Sequence, residues 1–366
     1  MIWHMIVRNV LHRPARTAIS VIAVGVEVTL VLLVVGLTSG LLQETAKRIE
    51  GVGADLMLQP PSASVFMAFS GAPMPIRIRE KLEELKHVQA VAPVLLQFNS
   101  SGGLDIVYGI EPESFRAVSG GFVIREGTDL EGPNDLLVDD WYAQAKNVKV
   151  GQNLRLFDNN FRVAGIVEHG KGARLFVNIK TLQELSGARE KASLFFVKCT
   201  RPEHTPNVSE EIRQLFPKHE IRPLKDFLSL MTSSNLPGLN AFIGGMITLA
   251  VAIGFLVIFL SMYTIITERT REIGVLKSLG ASKGYIIKAL LSETMLIVGV
   301  GIGVGIAMGF GARRLCADYF PTLTVLITPE WILRAALIAV LGGLLGAIYP
   351  AWLASKKDPV EALAYE

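Results

Sequence analysis

Charge is scarce in this chain. Asp, Glu, Lys and Arg make up 19% of its 366 residues, against roughly 25% in a soluble domain. The balance of sign is also small, a formal +3. That is too little to argue for a nucleic-acid partner, which a strongly basic chain would suggest. Cysteine is nearly absent: Cys199 and Cys316 lie far apart without CxxC spacing, so neither a disulfide framework nor a zinc site is indicated. Histidine is equally uninformative. His4, His12, His87, His169, His204 and His219 are scattered, none pairs at helical spacing with another ligand type, and all read as ordinary surface residues. Paired carboxylates, metal clusters and nucleophile–base sets are missing, which disfavours an intrinsic enzyme. One run, Gly165 to Gly172, matches GxxxxGK. It places glycine where Ser or Thr would have to reach magnesium, so no nucleotide site is expected on this chain.

What the chain has instead is apolar length. Half of it is hydrophobic. Four runs, Ala18–Leu42, Ala241–Ile266, Ile286–Gly311 and Trp331–Ala354, reach the roughly 20 apolar residues that a membrane span needs. The first is too long for the apolar core of a secretory signal and reads as an uncleaved anchor. The expected organisation is an interfacial helix at 1–16, a first span at 17–42, an outward α+β domain at 43–240 and a second span at 241–266. A charged connector follows at 267–285, then a third span at 286–312, an outer loop at 313–330, a fourth span at 331–354 and a tail at 355–366. Arg8, Arg13 and Arg16 precede the first span, and Lys356 and Lys357 follow the last. The positive-inside rule then puts both termini in the cytoplasm, although Arg313, Arg314 and Arg334 run against it.

Within the spans two features stand out. Glu27 lies near mid-bilayer, where an ionisable group costs a few kcal/mol, about 3 on insertion scales, and is a functional suspect by default. The bland alternative is a protonated, hydrogen-bonded packing determinant against a neighbouring helix. Glu293, nearer the cytoplasmic surface, reads as structural. Gly301, Gly305 and Gly309, with Gly342 and Gly346, form small-xxx-small ladders that let helix backbones approach closely.

The outward domain mixes short strand and helix patterns, with Asp158-Asn159-Asn160 as a hairpin turn. Residues 60–75 carry no charge but hold Phe66, Met67, Phe69 and Met74 among prolines. Such a stretch either packs down on the domain or lipid surface, or meets a hydrophobic cargo or accessory protein.

The connector is the most telling stretch. Arg269, Arg271, Lys277, Lys283 and Lys288 alternate with Glu268 and Glu272. Ile273, Leu276 and Gly280 supply one narrow stripe at helical spacing. Gly280 suits a helix C′ position, and Ser282 can cap the next helix. ERTREIGVLKSLGAS resembles the signature of the MacB/FtsX-type permeases of ABC transporters. The tail agrees, through Pro350-Ala351, Ala354-Ser355 and Asp358 to Leu363, as do, more diffusely, 150–156 and 163–167. Ala364 stands where the family commonly has arginine.

The resemblance implies a four-helix membrane protein with a large α+β extracytoplasmic domain between helices 1 and 2. It implies a multi-pass subunit of the bacterial cytoplasmic membrane and a homodimer. Glu268, Arg269, Arg271, Glu272, Ile273, Leu276, Lys277 and Gly280 then form the coupling helix on a cytoplasmic ABC ATPase. ATP and Mg would be held by that partner, with no cofactor on this chain. A periplasmic adaptor or a lipoprotein would complete the system. The work would be mechanotransmission: export or extraction of a hydrophobic, peptide or lipoprotein cargo, or alternatively FtsX-like activation of an external cell-wall hydrolase or signalling partner. If the uncharged loop meets cargo, Phe66→Ser with Phe69→Ser lowers activity in an export or resistance assay and leaves ATPase assembly intact. Undiminished activity would assign the loop to packing.

Overall fold

The computed structural model describes residues 14–61, 73–99, 105–226, 237–320 and 322–357. They form two compact units. One contains residues up to Ser39, Pro237–Asp318 and Val325 onward; the other contains Gly40–Leu236 and Tyr319–Thr324.

The first unit is a helical bundle. Its helices are α1 (Pro14–Glu50, whose last turns belong to the second unit), α7 (Pro237–Glu268), the short α8 (Thr270–Ser278), α9 (Lys283–Tyr319) and α10 (Pro329–Lys356). α1, α7, α9 and α10 are long and apolar enough to cross a membrane. α9 runs on to Tyr319 and α10 starts at Pro329, so much of the expected 313–330 loop is helical. Thr328 caps α10, its hydroxyl accepting from the Trp331 amide at 3.4 Å, and Pro329 takes the first position, where a missing N–H costs nothing.

The glycine ladders set the packing. A methyl group on Gly301 would lie 2.7 Å from Val24 Cβ, and one on Gly305 would lie 2.7 Å from both Gly25 O and Val28 Cβ. Gly309 faces Leu32. Thr29 donates to Gly25 O at 2.7 Å and to Gly305 O at 3.0 Å, so a side-chain bond joins α1 to α9 where the backbones are closest. On α10, Gly343 meets Val298, and Gly346 faces Ile258 and the Phe255 carbonyl on α7. These contacts bury Val24, Val28, Leu32, Ile258 and Val298 to 2% exposure or less.

The second unit is α+β. Its strands are β1 (Leu56–Gln59), β2 (Met74–Pro75), β3 (Val88–Asn99), β4 (Asp105–Ile110), β5 (Ile124–Gly127), β6 (Asp135–Asp139), β7 (Asn153–Leu156), β8 (Asn159–Val167), β9 (Leu175–Asn178), β10 (Lys191–Ala192), β11 (Leu194–Cys199) and β12 (Glu220–Pro223). Ten of them form one sheet, ordered β12-β1-β11-β3-β4-β9-β6-β8-β5, with β7 branching from β8; β2 and β10 pair separately. β4–β9 and β6–β8 are parallel, and the other pairs are antiparallel. Helices α2 (Ile78–Glu83), α3 (Pro112–Ser119), α4 (Asp140–Lys146), α5 (Ile179–Leu185) and α6 (Thr205–Leu215) complete it. Two apolar cores result. Leu82, Val208 and Ile212 pack with Leu56, Phe195 and Val197 in one; Leu182 and Tyr142 pack with Val138, Phe161 and Val177 in the other.

Two sequence expectations change here. The β7–β8 turn falls at Phe157 and Asp158, both at positive φ (51° and 59°), with Leu156 paired to Asn159. It therefore comes one residue earlier than Asp158–Asn160. Burial of Phe161 and Val163 sets the register of β8, and Asn99 accepts the Phe157 amide at 3.1 Å, which holds the unusual aromatic position. Met74 is not a loop contact residue. It pairs with Ala192 and is 3% exposed in the first of the two cores, because an apolar residue at a strand edge over a core is drawn inward. Phe66, Met67 and Phe69 lie outside the described residues.

The ladder makes a sharp prediction. Gly305→Ala should destabilise the detergent-solubilised protein by about 1–3 kcal/mol through overpacking. Gly303→Ala, where nothing lies within 4 Å of the new methyl, should not. Equal melting temperatures for the two variants would remove the ladder from the packing account.

Candidate functional site

The connector between α7 and α9 folds as α8, and its ends are closed by local chemistry. Gly280 takes φ +91°, its amide bonding Lys277 O at 3.0 Å while the Ala281 amide bonds Leu276 O at 3.0 Å. That paired arrangement stops a helix at glycine, because other residues pay for the left-handed conformation. Ser282 Oγ then accepts the Tyr285 amide at 3.2 Å and starts α9.

The charged residues of α8 divide into two groups. Arg269 is turned inward: Nε meets Glu272 at 2.7 Å and Nη1 meets Glu293 at 3.1 Å, with Glu293 6% exposed on α9. Lys277 donates to the Ser355 carbonyl at 3.1 Å and to the Lys357 carbonyl at the end of α10. Lys357 reaches back to Thr270 Oγ1 at 3.3 Å. α8 is thus fastened to α9 through one cation and to α10 through another. The apolar stripe is also turned inward, since Ile273 is 7% exposed in the bundle core and Leu276 is half-buried. Arg271, Glu272, Val275, Ser278 and Leu279 are exposed and share the opposite face at helical spacing. Val275 is 42% and Leu279 80% exposed.

Deeper in the bundle, Glu27 is 6% exposed. A methyl on Gly254 of α7 would fall 1.8 Å from its Oε2, and one on Gly342 of α10 would fall 3.8 Å from its Oε1. Two glycines therefore make the space for this side chain. Oε1 has no hydrogen-bond partner among the described residues.

The second unit contains a cluster that no local spacing announces. His169, expected at the surface, has a side chain only 15% exposed, held between Asp139 Oδ2 at 2.8 Å and Glu44 Oε1 at 3.0 Å. Arg48 meets the same Glu44 oxygen at 3.0 Å, and Arg174 approaches it at 3.6 Å. Trp141 stacks on the imidazole, with centroids 4.0 Å apart and planes within 5°. Asp139 is a junction residue, because its Oδ1 caps α4 by accepting the Tyr142 amide at 2.6 Å while its other oxygen holds His169. Burial alone would lower the His169 pKa, but the hydrogen bonds and charges of Asp139 and Glu44 push it up to about 9. The imidazole is therefore a cation at neutral pH. The partners of His169 come from α1 and from the end of β6, far away in sequence, which is why periodicity could not reveal them. His87 and His204 also find one another, stacking at 4.0 Å.

The GxxxxGK run is no phosphate loop. Gly165 sits within β8, Lys171 donates to the Ser119 carbonyl at 2.7 Å, and the run leads into strand β9, not into the helix N-terminus that would cradle a phosphate. Among the described residues no group of three or more His, Cys, Asp or Glu could hold a metal ion.

Comparison with known proteins agrees with this architecture. Residues 17–215 match the MacB-like periplasmic core domain, and residues 244–359 match the FtsX-like permease C-terminal model. The ABC transporter permease MJ1507 of Methanocaldococcus jannaschii is 23% identical over 98% of this chain and 96% of its own length. The macrolide export ATP-binding/permease protein MacB of Hyphomonas neptunium is 27% identical over 96% of this chain, which spans 58% of that protein. The crystal structure of the periplasmic region of MacB from Actinobacillus actinomycetemcomitans superposes on 50% of the chain with a TM-score of 0.40 and 16% identity. Two family models that between them take in the first helix, the α+β unit and the last three helices leave one assignment: the chain belongs to the MacB/FtsX-type ABC transporter permeases.

Proposed function

We propose that this permease transmits ATP-driven motion from a cytoplasmic ABC ATPase to its α+β domain, and so exports or extracts a hydrophobic, peptide or lipoprotein cargo. The observation that carries this reading is the fastening of α8. A helix tied by Arg269 to Glu293 of α9 and by Lys277 to the last carbonyls of α10 cannot be displaced without displacing both. Its opposite face, with Val275 and Leu279 in the open and Arg271 and Glu272 beside them, is the kind of surface a partner protein covers: apolar centre, charged rim. In this reading the ATPase sits on that face, binds ATP and Mg itself and hydrolyses the ATP.

The remaining parts follow from the same reading. In this reading α8 and both termini face the cytoplasm and the α+β domain lies outside, as the basic residues flanking the first and last spans support, and the protein works as a homodimer in a bacterial inner membrane. The relatives named for macrolide export support export over regulation of an external hydrolase. A periplasmic adaptor or a lipoprotein is the partner such a domain would serve.

The test separates the two faces of α8. Truncating a central apolar anchor typically costs about 2 kcal/mol, more than tenfold in affinity. Val275→Asp with Leu279→Asp is therefore expected to leave the permease in the membrane and reduce co-purified ATPase by at least about that factor. Ile273→Asp, which buries a carboxylate in the bundle, should instead lower the yield and melting temperature of the permease itself. Undiminished ATPase recovery with Val275 and Leu279 both replaced would overturn the docking assignment.

A further inference from the structure

α1 is unbroken from Pro14 to Glu50, and its residues from Gly40 onward belong to the α+β unit. Those last turns enter the unit at one place. Glu44 and Arg48, each 7% exposed, turn into the cluster around His169. Three residues beyond Arg48, Gly51 comes so near the 168–172 segment that a methyl there would sit 2.1 Å from Gly170 O. Arg174, from the same cluster, donates to the Thr322 carbonyl at 3.1 Å. Thr322 belongs to the stretch Tyr319–Thr324 that connects α9 to α10 and counts with the α+β unit. One cluster thus grips two separate pieces of chain that continue directly into membrane helices.

We propose that the Glu44–His169–Asp139 cluster, with Arg48 and Arg174, is the clutch through which the membrane helices drive the α+β domain. Adhesion alone is a poor explanation for it. Buried ion pairs rarely gain net stability over apolar packing, because desolvation offsets their attraction. What they supply is a single permitted arrangement, since a slip of one helical turn would leave carboxylates and guanidinium groups buried without partners. A joint that carries force needs that property. Trp141, flat against the imidazole, and Asp140, accepting the His169 amide at 3.1 Å, leave the ring little freedom to yield.

The inference rests on the mechanotransmission reading and is tested beside it. The complex of this chain with its ATPase is placed in nanodiscs, in a Cys316→Ser background, with a spin label at the exposed Arg155 of each copy. The readout is the change in label-to-label distance on adding ATP and vanadate. His169→Gln, and Glu44→Gln should the first variant fail to reach the membrane, are expected to keep ATPase binding and turnover within about twofold of wild type while losing more than half of the distance change. An undiminished change in either variant overturns the clutch. Absence of any change in wild type overturns the mechanotransmission reading itself.

A second measurement tells charge from shape. A group whose folded pKa is raised from about 6.5 to about 9 gives stability that is complete below the lower value and lost as pH rises through the upper one. The acids Glu44 and Asp139 touch the ring, Asp140 accepts the His169 backbone amide, Arg48 and Arg174 bring positive charge to the same Glu44 oxygen, and the ammonium of Lys171, two residues on, is held below the usual lysine range by burial in wild type and variant alike. The melting temperature of the full-length protein should therefore fall between pH 7 and pH 10 by more in wild type than in His169→Gln. Parallel profiles would overturn the charged joint.

Discussion

Everything in this protein hangs on a helix that satisfies its own backbone. A helix is among the few structures that can leave hydrocarbon without exposing unpaired N–H and C=O groups. α1 has 37 residues, about 55 Å at 1.5 Å per residue, against a hydrocarbon thickness of about 30 Å. It is therefore much too long to be only a span. Its chemistry changes along its length to match. Val24, Val28 and Leu32 repeat at four-residue spacing and lie against the glycines of α9. Glu44 and Arg48 repeat at the same spacing and lie in a polar cluster. One secondary structure thus presents an apolar seam where it belongs to the bundle and an ionic one where it belongs to the α+β unit.

The two seams solve different problems. Between membrane helices there is no hydrophobic gain in leaving lipid, so association depends on close van der Waals contact and a few hydrogen bonds. Glycine at Gly301 and Gly305 and the Thr29 hydroxyl provide both. Where α1 joins the α+β unit, the partners already carry backbone dipoles and acids, and directional charge pairing becomes available. Glu27 is the exception that belongs to neither. Its side chain occupies space made by Gly254 and Gly342, and its Oε1 has no hydrogen-bond partner among the described residues, whereas Glu44 Oε1 lies 3.0 Å from both Arg48 and His169.

Much of this architecture was legible in the residues. The four spans announce themselves because a bilayer demands about 20 apolar residues in a row, and few other constraints do. The α8 stop at Gly280 and the Ser282 cap are equally visible, since each depends on one residue type at one place. The ladder glycines could be picked out by spacing alone. What stayed hidden was anything made by chain segments distant in sequence. His169 looks like a loop histidine until the fold carries α1 and the end of β6 to it. Met74 looks like the end of an uncharged loop until Ala192 pairs with it. The β7–β8 turn is shifted by burial of Phe161 on one strand, a tertiary effect that local turn preference does not see.

The orientation of α8 shows how an amphipathic pattern misleads when two partners compete for one helix. Ile273 and Leu276 form the more regular apolar stripe, and the family resemblance puts them among the residues of a coupling helix. The bundle, however, is covalently attached and covers that face, with Ile273 7% exposed in its core. A partner that arrives later finds only what the bundle leaves uncovered. The charges divide the same way: Arg269 pairs with Glu293 and Lys277 donates to the carbonyls ending α10, while Arg271 and Glu272 remain at the surface. In a short helix beside a permanent neighbour, the stronger hydrophobic face belongs to that neighbour. The weaker face, a valine and a leucine amid charge, suits a contact that must form without making the free subunit insoluble.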